Sequence, residues 1–380
     1  MGGILAGYLA STVGRKRTIL ITLIPYIIGF LSIFYSQKSI SIMILGRAIS
    51  GLGMGSSFVV PPMYISEISP SHARGFLGSF MQIAVNLGIL FAYIGGRYLD
   101  WTNLALLPCI FIALQALTVQ QIPESPRYYL SILDRPAAKR SLMDLRQNNS
   151  HLVNELLQSL ETSSDTTSAS LFSTKATTKA FFMACGILIM QQFTGINVIV
   201  FYTEKIYQTA GIKDSNMASI VMCLVNIGVT FISAKLVDLS GRKTLLSISG
   251  ILMSLFLAIF ALYFHVGKTD GVWYYTALAC PMLYIMSFAI GFGAIPSIYS
   301  SEILPSSIKE KALSIGNFGN WTVGFFNVLS FNSILVPMLG NSGAFLVYAV
   351  VVFIQVAIVK SLFLETKGKS LEEIEMKLSE

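Results

Sequence analysis

Several amide side chains lie within long apolar stretches of this chain, and six of them are candidate site residues: Gln82, Gln191, Gln192, Asn197, Asn226 and Asn320. An amide donates and accepts hydrogen bonds without carrying charge. An unpaired amide in an apolar helix costs a few kcal/mol, so all six need partners. Two kinds of partner could satisfy them: an uncharged ligand rich in hydroxyls, or other helices of the same bundle.

Among these amides, Asn197 stands six positions after Gln191 and five after Gln192. On one continuous helix, this spacing predicts a shared broad face toward a wet interior. Sugars are one class of hydroxyl-rich ligand that would suit such amides, and their C–H faces stack on aromatic rings. Phe288 and Tyr202 are candidate rings for that contact.

Long apolar helices must position these side chains. Of the 380 residues, 54% are hydrophobic and 12% charged, whereas a soluble protein carries about 25% charged residues. Stretches long enough to cross a bilayer predict ten full spans, at 18–37, 41–66, 75–96, 101–122, 180–203, 215–234, 244–264, 272–301 and 312–359, the last divided at 337–343. An apolar stub at 2–13 precedes Arg15 and is expected to be the end of a truncated membrane helix.

Gly291, Gly293 and Pro296 interrupt the stretch at 272–301. In a transporter, such a sequence predicts a broken helix that exposes its backbone to a ligand path. A plain kink in a packed helix is the competing interpretation.

Charge sets the expected topology. Most of the 26 Lys and Arg residues lie on one side of the predicted spans, and cytoplasmic loops collect such residues. This predicts a cytoplasmic loop at 123–179 with short helices, and a cytoplasmic C-terminus. The predicted domains are an N-terminal membrane half at 1–122, the linker at 123–179, a C-terminal membrane half at 180–364 and a tail at 365–380.

Two motifs recur in order. Gly14-Arg15-Lys16 returns as Gly241-Arg242-Lys243, and Tyr64-x-x-Glu67 returns as Tyr299-x-x-Glu302. Duplicated halves around a central site are typical of secondary transporters. We predict an inner-face gating network from the charges in and beside these motifs; topology-setting charge at the membrane edge is the alternative. The predicted network comprises Arg15, Lys16, Glu67, Arg74, Asp238, Arg242, Lys243, Glu302 and Lys309.

Other functional classes find little support in the sequence. The four cysteines lie in apolar runs without a CxxC pair, and the three histidines are scattered, so neither a metal nor another cofactor is predicted. No spacing assembles a catalytic set, so the chain is not predicted to be an enzyme. The net charge of +7 is dispersed in short clusters between apolar runs, which argues against nucleic-acid binding.

Further motifs carry a family resemblance over essentially the whole chain. They are Pro123-Glu124-Ser125-Pro126-Arg127, Gln191-Gln192-Phe193-Thr194-Gly195-Ile196-Asn197, Asn320-Trp321 and Glu365-Thr366-Lys367-Gly368. Together with the two repeated motifs, they resemble the sugar porters of the major facilitator superfamily. The amino-acid sequence at 291–296 and 302–305 is most similar to the insect trehalose-transporter branch, with hexose transporters nearly as similar.

The resemblance implies an all-α membrane protein, a major facilitator superfamily bundle of two pseudo-repeated halves, with its first helix missing and its second partial. It implies facilitated transport of a sugar, trehalose or hexose, across a membrane, expected to be the plasma membrane. It adds Trp321 to the sugar site, and Glu124 and Arg127 to the gating network. A non-transporting sugar sensor or an inactive truncated paralogue is the alternative function.

This sequence departs from the family pattern at several positions. Ser11 stands where the family has an Asp before the first Gly-Arg-Lys, and Ser297 stands where a Trp follows Pro296. Lys309-Glu310 replaces Arg-Gly, and Leu364 replaces a Pro. These departures weaken the expected gate and remove an expected aromatic ring. Uniport is favoured over proton coupling because the acids lie near predicted membrane edges or in loops.

Overall fold

The computed structural model describes residues 1–37, 39–70, 74–146, 153–158, 172, 174–267, 271–305, 308–367 and 371–379. The chain divides into two compact units, one formed by 1–82 with 94–167 and the other by 83–93 with 168–380. All regular structure in the described residues is helical, as the apolar runs predict.

Among the described residues, which also include a helical segment at 153–158, the first unit contains nine bounded helices, of which α5 also contributes residues 83–93 to the second unit. They are α1 (Gly2–Thr12), α2 (Arg15–Tyr35), α3 (Ile40–Ser57), α4 (Val60–Ile68), α5 (Arg74–Tyr98), α6 (Trp101–Leu104), α7 (Leu107–Gln121), α8 (Pro126–Ser131) and α9 (Arg135–Leu145). Proline stands in the first turn of α4, α7, α8 and α9, where its missing N–H leaves no helical bond unmade.

In its described part, the second unit continues with nine α-helices and one π-helical turn. They are α10 (Lys175–Phe193), α11 (Ile196–Thr209), α12 (Ser215–Leu239), α13 (Arg242–Val266), α14 (Val272–Ile290), α15 (Ile295–Ile303), α16 (Lys309–Ser330), the π turn (Phe331–Leu335), α17 (Val336–Leu362) and α18 (Leu371–Ser379). Helices α13 and α17 pack closely, as do α10 and α16.

Within the described residues, nine continuous or nearly continuous helical stretches are long and apolar enough to cross a membrane. One of them, Lys311–Leu362, has 52 residues and is too long for a single crossing. The backbone leaves the helical region at Gly340, where φ is 68°. The break expected at 337–343 therefore lies at Gly340, and this stretch supplies the last two predicted spans.

The predicted span at 180–203 differs from the structure. Helix α10 ends at Phe193 and α11 begins at Ile196, so the segment is two helices rather than one. The chain also leaves the helix between Ile290 and Ile295, the end of α14 and the start of α15. Both interruptions lie in the second unit, beside the candidate site.

The predicted linker and tail are partly helical. In the linker, α9 and residues 153–158 pack through Ala138, Leu142, Val153 and Leu157. Residues 147–152 and most of 159–173, including most of the Ser/Thr-rich part of the linker, lie outside the described residues. In the tail, α18 buries Ile374 and Leu378 in the core of the second unit. Their i, i+4 spacing places both on one helix face.

Candidate functional site

Four of the predicted amides form one hydrogen-bonded cluster in the second unit. Gln192 Nε2 donates to Asn320 Oδ1 at 2.8 Å, and Asn197 Nδ2 donates to Gln192 Oε1 at 2.6 Å. Asn320 Nδ2 donates to Gln191 Oε1 at 3.3 Å and also to the Leu188 carbonyl. We call Gln191, Gln192, Asn197 and Asn320 the amide cluster.

The interruption between α10 and α11 brings these amides together. Gly195 adopts a left-handed conformation with φ of 84°, which a glycine reaches without steric cost. The turn places Asn197, at the start of α11, against Gln192, at the end of α10. The prediction of a shared face on one continuous helix is therefore wrong, because two helices meet here.

Gln191 connects the amide cluster to the broken helix. Its Nε2 donates to the carbonyl of Phe292 at 2.7 Å and to that of Gly293 at 3.1 Å. These carbonyls lie between α14 and α15, where no regular helix satisfies them. Ser249 Oγ supports the same segment by accepting from the Phe292 N–H at 3.3 Å. The unwound segment containing Gly291 and Gly293 is thus held by side chains of α10 and α13, and Pro296 lies in the first turn of α15.

A count of donors and acceptors separates the roles of the four amides. Both Nε2 hydrogens of Gln191 and both Nδ2 hydrogens of Asn320 are engaged by described residues. Gln192 Nε2 and Asn197 Nδ2 each make one described bond out of two. Asn197 Oδ1 accepts no hydrogen bond from the described residues. The open hydrogen-bonding capacity for a ligand therefore lies mainly on Gln192 and Asn197.

The remaining predicted site residues lie outside the amide cluster. Asn226 on α12 donates to Asn86 Oδ1 at 3.3 Å. Tyr202 on α11 stacks on Phe331 with ring centroids 5.8 Å apart. The other three are placed by the structure as follows: Gln82 is an exposed residue of α5, Phe288 is half-buried in the last turn of α14, and Trp321 is half-buried beside Asn320.

Sequence reasoning missed several polar residues that support the site. Asn86 is 3% exposed and donates to Thr230 Oγ1 at 3.0 Å. Asn327 donates to the Gln192 carbonyl and accepts from the Tyr348 hydroxyl. Asn86 could have been found as an amide one turn after Gln82 in an apolar run. No comparable signal singles out Tyr348 among 16 tyrosines.

A charge cluster joins three segments of the first unit. The Arg15 guanidinium contacts the Glu67 carboxylate, with Nη2 at 2.9 Å from Oε1 and Nε at 3.0 Å from Oε2. The Glu124 carboxylate accepts the backbone N–H groups of Arg15 at 2.8 Å and Lys16 at 3.0 Å. Ser125 Oγ donates to Glu67. Glu124 thus caps the N-terminus of α2, where a negative charge is favourable.

The second unit repeats this cluster. Arg242 Nη2 lies 2.8 Å from Glu302 Oε1, and the Glu365 carboxylate accepts from the backbone N–H of Arg242 at 2.8 Å and of Lys243 at 3.0 Å. Thr366 Oγ1 donates to Glu302 Oε2, as Ser125 does to Glu67. Glu365 was not predicted as a gate residue. The repetition of Glu124-Ser125 as Glu365-Thr366 is the sequence signal for it.

Several predicted gate residues lie beside these clusters. Lys16 Nζ donates to the Gln120 carbonyl at 2.8 Å, and Arg127 is exposed in the first turn of α8. Lys309 begins α16. The side chains of Arg74 and Asp238 lie outside the described residues, so their part in the gating network stays a prediction.

Membrane-length helices in two units, a broken helix and an uncharged polar cluster are the features of a carrier of the major facilitator superfamily. The sequence model of the family described as "Sugar (and other) transporter" matches residues 1–378. The chain belongs to this family, which confirms the predicted all-α fold of the major facilitator superfamily and the prediction that the protein is a transporter rather than an enzyme.

Relatives and solved structures agree with this assignment. The chain is 38% identical to the facilitated trehalose transporter Tret1 of Bombyx mori, over 100% of this chain and 76% of the relative. It is 35% identical to Tret1 of Aedes aegypti, over 99% of this chain and 48% of that relative. The inward-open xylose transporter XylE from E. coli matches with a TM-score of 0.84 and 25% identity, over 99% of this chain and 85% of XylE.

Proposed function

We propose that this chain carries an uncharged sugar across a membrane by facilitated, alternating-access transport, with trehalose or a hexose as substrate. Relatives at 38% and 35% identity bear the name facilitated trehalose transporter. A xylose transporter shares the fold at 25% identity. These names support a sugar as the substrate class, and trehalose is the first sugar to test.

The observation that carries this proposal is the amide cluster. A sugar hydroxyl donates one hydrogen bond and accepts two, and it carries no charge. Gln192 and Asn197 offer both donors and an acceptor beyond the bonds they make to described residues, and Gln192 is 5% exposed. A protein-lined site of this kind favours a neutral polyhydroxyl ligand, because an ion would meet no opposite charge among the cluster residues.

We further propose uniport rather than proton coupling. None of the four amides in the cluster titrates. The carboxylates on the short helices α4 and α15, Glu67 and Glu302, are both engaged by arginines. A proton-coupled carrier needs a titratable group that changes its charge during the cycle. XylE, which shares the fold, is a proton:xylose symporter, so an imposed pH gradient provides a direct test.

The chain is a multi-pass membrane protein, and we propose the plasma membrane as its location. The basic motifs with Arg15 and Arg242, and the loop at 123–179, are proposed to face the cytoplasm. They carry most of the Lys and Arg residues on the basic side of the predicted spans, and cytoplasmic loops collect such residues. We retain the proposed division into membrane halves at 1–122 and 180–364, a linker at 123–179 and a tail at 365–380.

The proposal is tested by counterflow of labelled sugar in proteoliposomes. Labelled trehalose and D-glucose are compared with L-glucose, at equal pH and with an imposed pH gradient. The variant Gln192→Ala removes the amide at the centre of the cluster. Gln208→Ala is its matched control, because Gln208 is an exposed amide on α11 that bonds to Glu204 at 3.1 Å.

Stereospecific exchange that Gln192→Ala lowers and Gln208→Ala preserves supports a sugar carrier. Exchange that does not respond to the pH gradient supports uniport. If the folded chain binds sugar saturably but shows no exchange, it is a sensor rather than a carrier. If neither binding nor exchange is found, transport by this chain is refuted.

A further inference from the structure

The interruption between α10 and α11 leaves carbonyls that regular helical bonds do not satisfy. The Gln192 carbonyl accepts a weak bond from the Gly195 N–H at 3.2 Å, and it also accepts from Asn327 Nδ2 on α16. The Thr194 carbonyl accepts from the Tyr284 hydroxyl at 2.9 Å. Side chains from two other helices therefore complete the hydrogen bonding of the break.

Tyr348 on α17 contacts the same break in two ways. Its hydroxyl donates to Asn327 Oδ1 at 2.5 Å. Its ring lies against Gly195, where an added Cβ would approach the ring Cδ1 to 2.9 Å. Tyr348 is 4% exposed, so neither contact is shared with bulk solvent.

The Tyr348 hydroxyl also fixes the orientation of the Asn327 amide. The end of that amide facing the Gln192 carbonyl must be the NH₂ group, because two oxygens facing each other repel. An asparagine amide turned by half a rotation would present its oxygen instead. The hydroxyl proton of Tyr348, directed at Oδ1, favours the productive orientation.

We propose that Asn327 and Tyr348 are positioning residues for the sugar site, an inference that rests on the function proposed above. They hold the α10–α11 break at the conformation in which Gln192 and Asn197 meet and leave their open donors and acceptor for the ligand. Asn327 acts on Gln192 through its backbone, and Tyr348 acts through Asn327 and Gly195. Neither needs to touch the sugar, and the pair preorganises the residues that do.

Two nearly isosteric variants test this pair. Tyr348→Phe keeps the ring on Gly195 and removes the hydroxyl proton, and Asn327→Asp replaces the donor with an acceptor. Ser342→Ala is the matched control, since Ser342 on the same helix α17 donates to the Ala261 carbonyl at 2.8 Å. It removes a hydrogen bond of the same kind without touching the break.

Two measurements are made on each purified variant. Sugar uptake by proteoliposomes gives KM and Vmax, and hydrogen–deuterium exchange of the sugar-free protein reports on the backbone amides at 193–199. Loss of one such hydrogen bond is expected to raise KM about fivefold with little change in Vmax, the pattern of lost ground-state binding. Exchange at 193–199 is expected to rise about fivefold in parallel, and Ser342→Ala changes neither.

The two readouts separate failure of this inference from failure of the proposed function. A wild-type protein that moves no sugar refutes the proposed function. Faster hydrogen–deuterium exchange in the variants would then still support the positioning of the break. If wild-type uptake is normal, an unchanged KM in both variants overturns the inference. Unchanged hydrogen–deuterium exchange of the backbone amides at 193–199 overturns the inference as well. An equal rise of KM in Ser342→Ala assigns the effect to general loosening of α17 and also overturns it.

Discussion

The two Arg–Glu pairs predict an asymmetry that a mutational comparison can measure. Glu67 and Arg15 are 5% and 12% exposed, whereas Glu302 and Arg242 are 28% and 13% exposed. The bonding pattern is the same in both units, so the main difference between the pairs is the burial of the carboxylate. Removing that charge is expected to cost more where water cannot replace it.

The size of the expected loss in the free energy of unfolding follows from this burial. Glu67→Gln leaves the Arg15 guanidinium without a counter-charge from Glu67 in a nearly dry site, which costs about 3 kcal/mol by analogy with other buried pairs. Glu302→Gln lies between that case and an exposed pair, at about 1–1.5 kcal/mol. The expected difference of about 1.5–2 kcal/mol corresponds to roughly a tenfold or larger change in the ratio of folded to unfolded protein.

The assay is reversible unfolding of the purified protein in mixed micelles with increasing SDS fraction, followed by helical circular dichroism. Glu204→Gln is the control, because Glu204 is an exposed carboxylate on α11. It reports the background cost of losing one negative charge. The reasoning is refuted if Glu302→Gln destabilises the protein as much as Glu67→Gln, or if Glu67→Gln is no worse than Glu204→Gln.

Two glycine substitutions with matched controls provide further tests by the same unfolding assay. A Cβ at Gly241 would lie 2.4 Å from Glu365 Oε2, so Gly241→Ala is expected to displace this cap and cost about 1–2 kcal/mol. Gly228→Ala, which meets no atom within 4 Å, should not destabilise; equal effects would contradict the capping role. Gly195→Ala strains a residue with φ of 84° and should lower both stability, by about 1–2 kcal/mol, and sugar exchange. Gly186→Ala, also free of neighbours within 4 Å, should gain up to about 1 kcal/mol, and a loss there similar to Gly195→Ala would argue against a special role for the break.

The sequence predicts the helical spans because each needs only a long apolar run, a property local to the chain. The break at Thr194-Gly195 does not follow from such a run, because glycine is common within membrane helices. What holds the break is contributed by Asn327 and Tyr348, more than 130 residues away along the chain. Single-sequence patterns carry no information about such pairings.

The site residues that could be predicted are those whose type alone is unusual for their surroundings. Gln191, Gln192 and Asn320 stand out because amides are conspicuous in apolar stretches, and the structure places them together. Their individual roles depend on which hydrogens are already engaged. Gln191 uses both of its Nε2 hydrogens on the broken helix, a partnership set by the fold and not by residue type.

The internal repeat has a mechanical consequence that the motifs alone do not reveal. Helices α4 and α15 each follow a helix break and have nine residues, with tyrosine at the fifth position and glutamate at the eighth. The Tyr64 hydroxyl donates to the Pro123 carbonyl at 2.6 Å, and the Tyr299 hydroxyl accepts from the Leu364 N–H at 3.2 Å.

Each short helix is therefore bound on one side to the start of α2 or α13, through its glutamate and an arginine. On the other side, it is bound to the segment that follows α7 or α17, through its tyrosine. A displacement of α4 or α15 must either break the Arg–Glu pair or carry both neighbouring segments with it. Because Glu302 is the more exposed carboxylate, the Arg242–Glu302 pair should break at lower cost than the Arg15–Glu67 pair. Helix α15 also continues directly from the segment that Gln191 holds. Ligand contacts at the amide cluster and the state of the Arg242–Glu302 pair are thus joined through a single short helix.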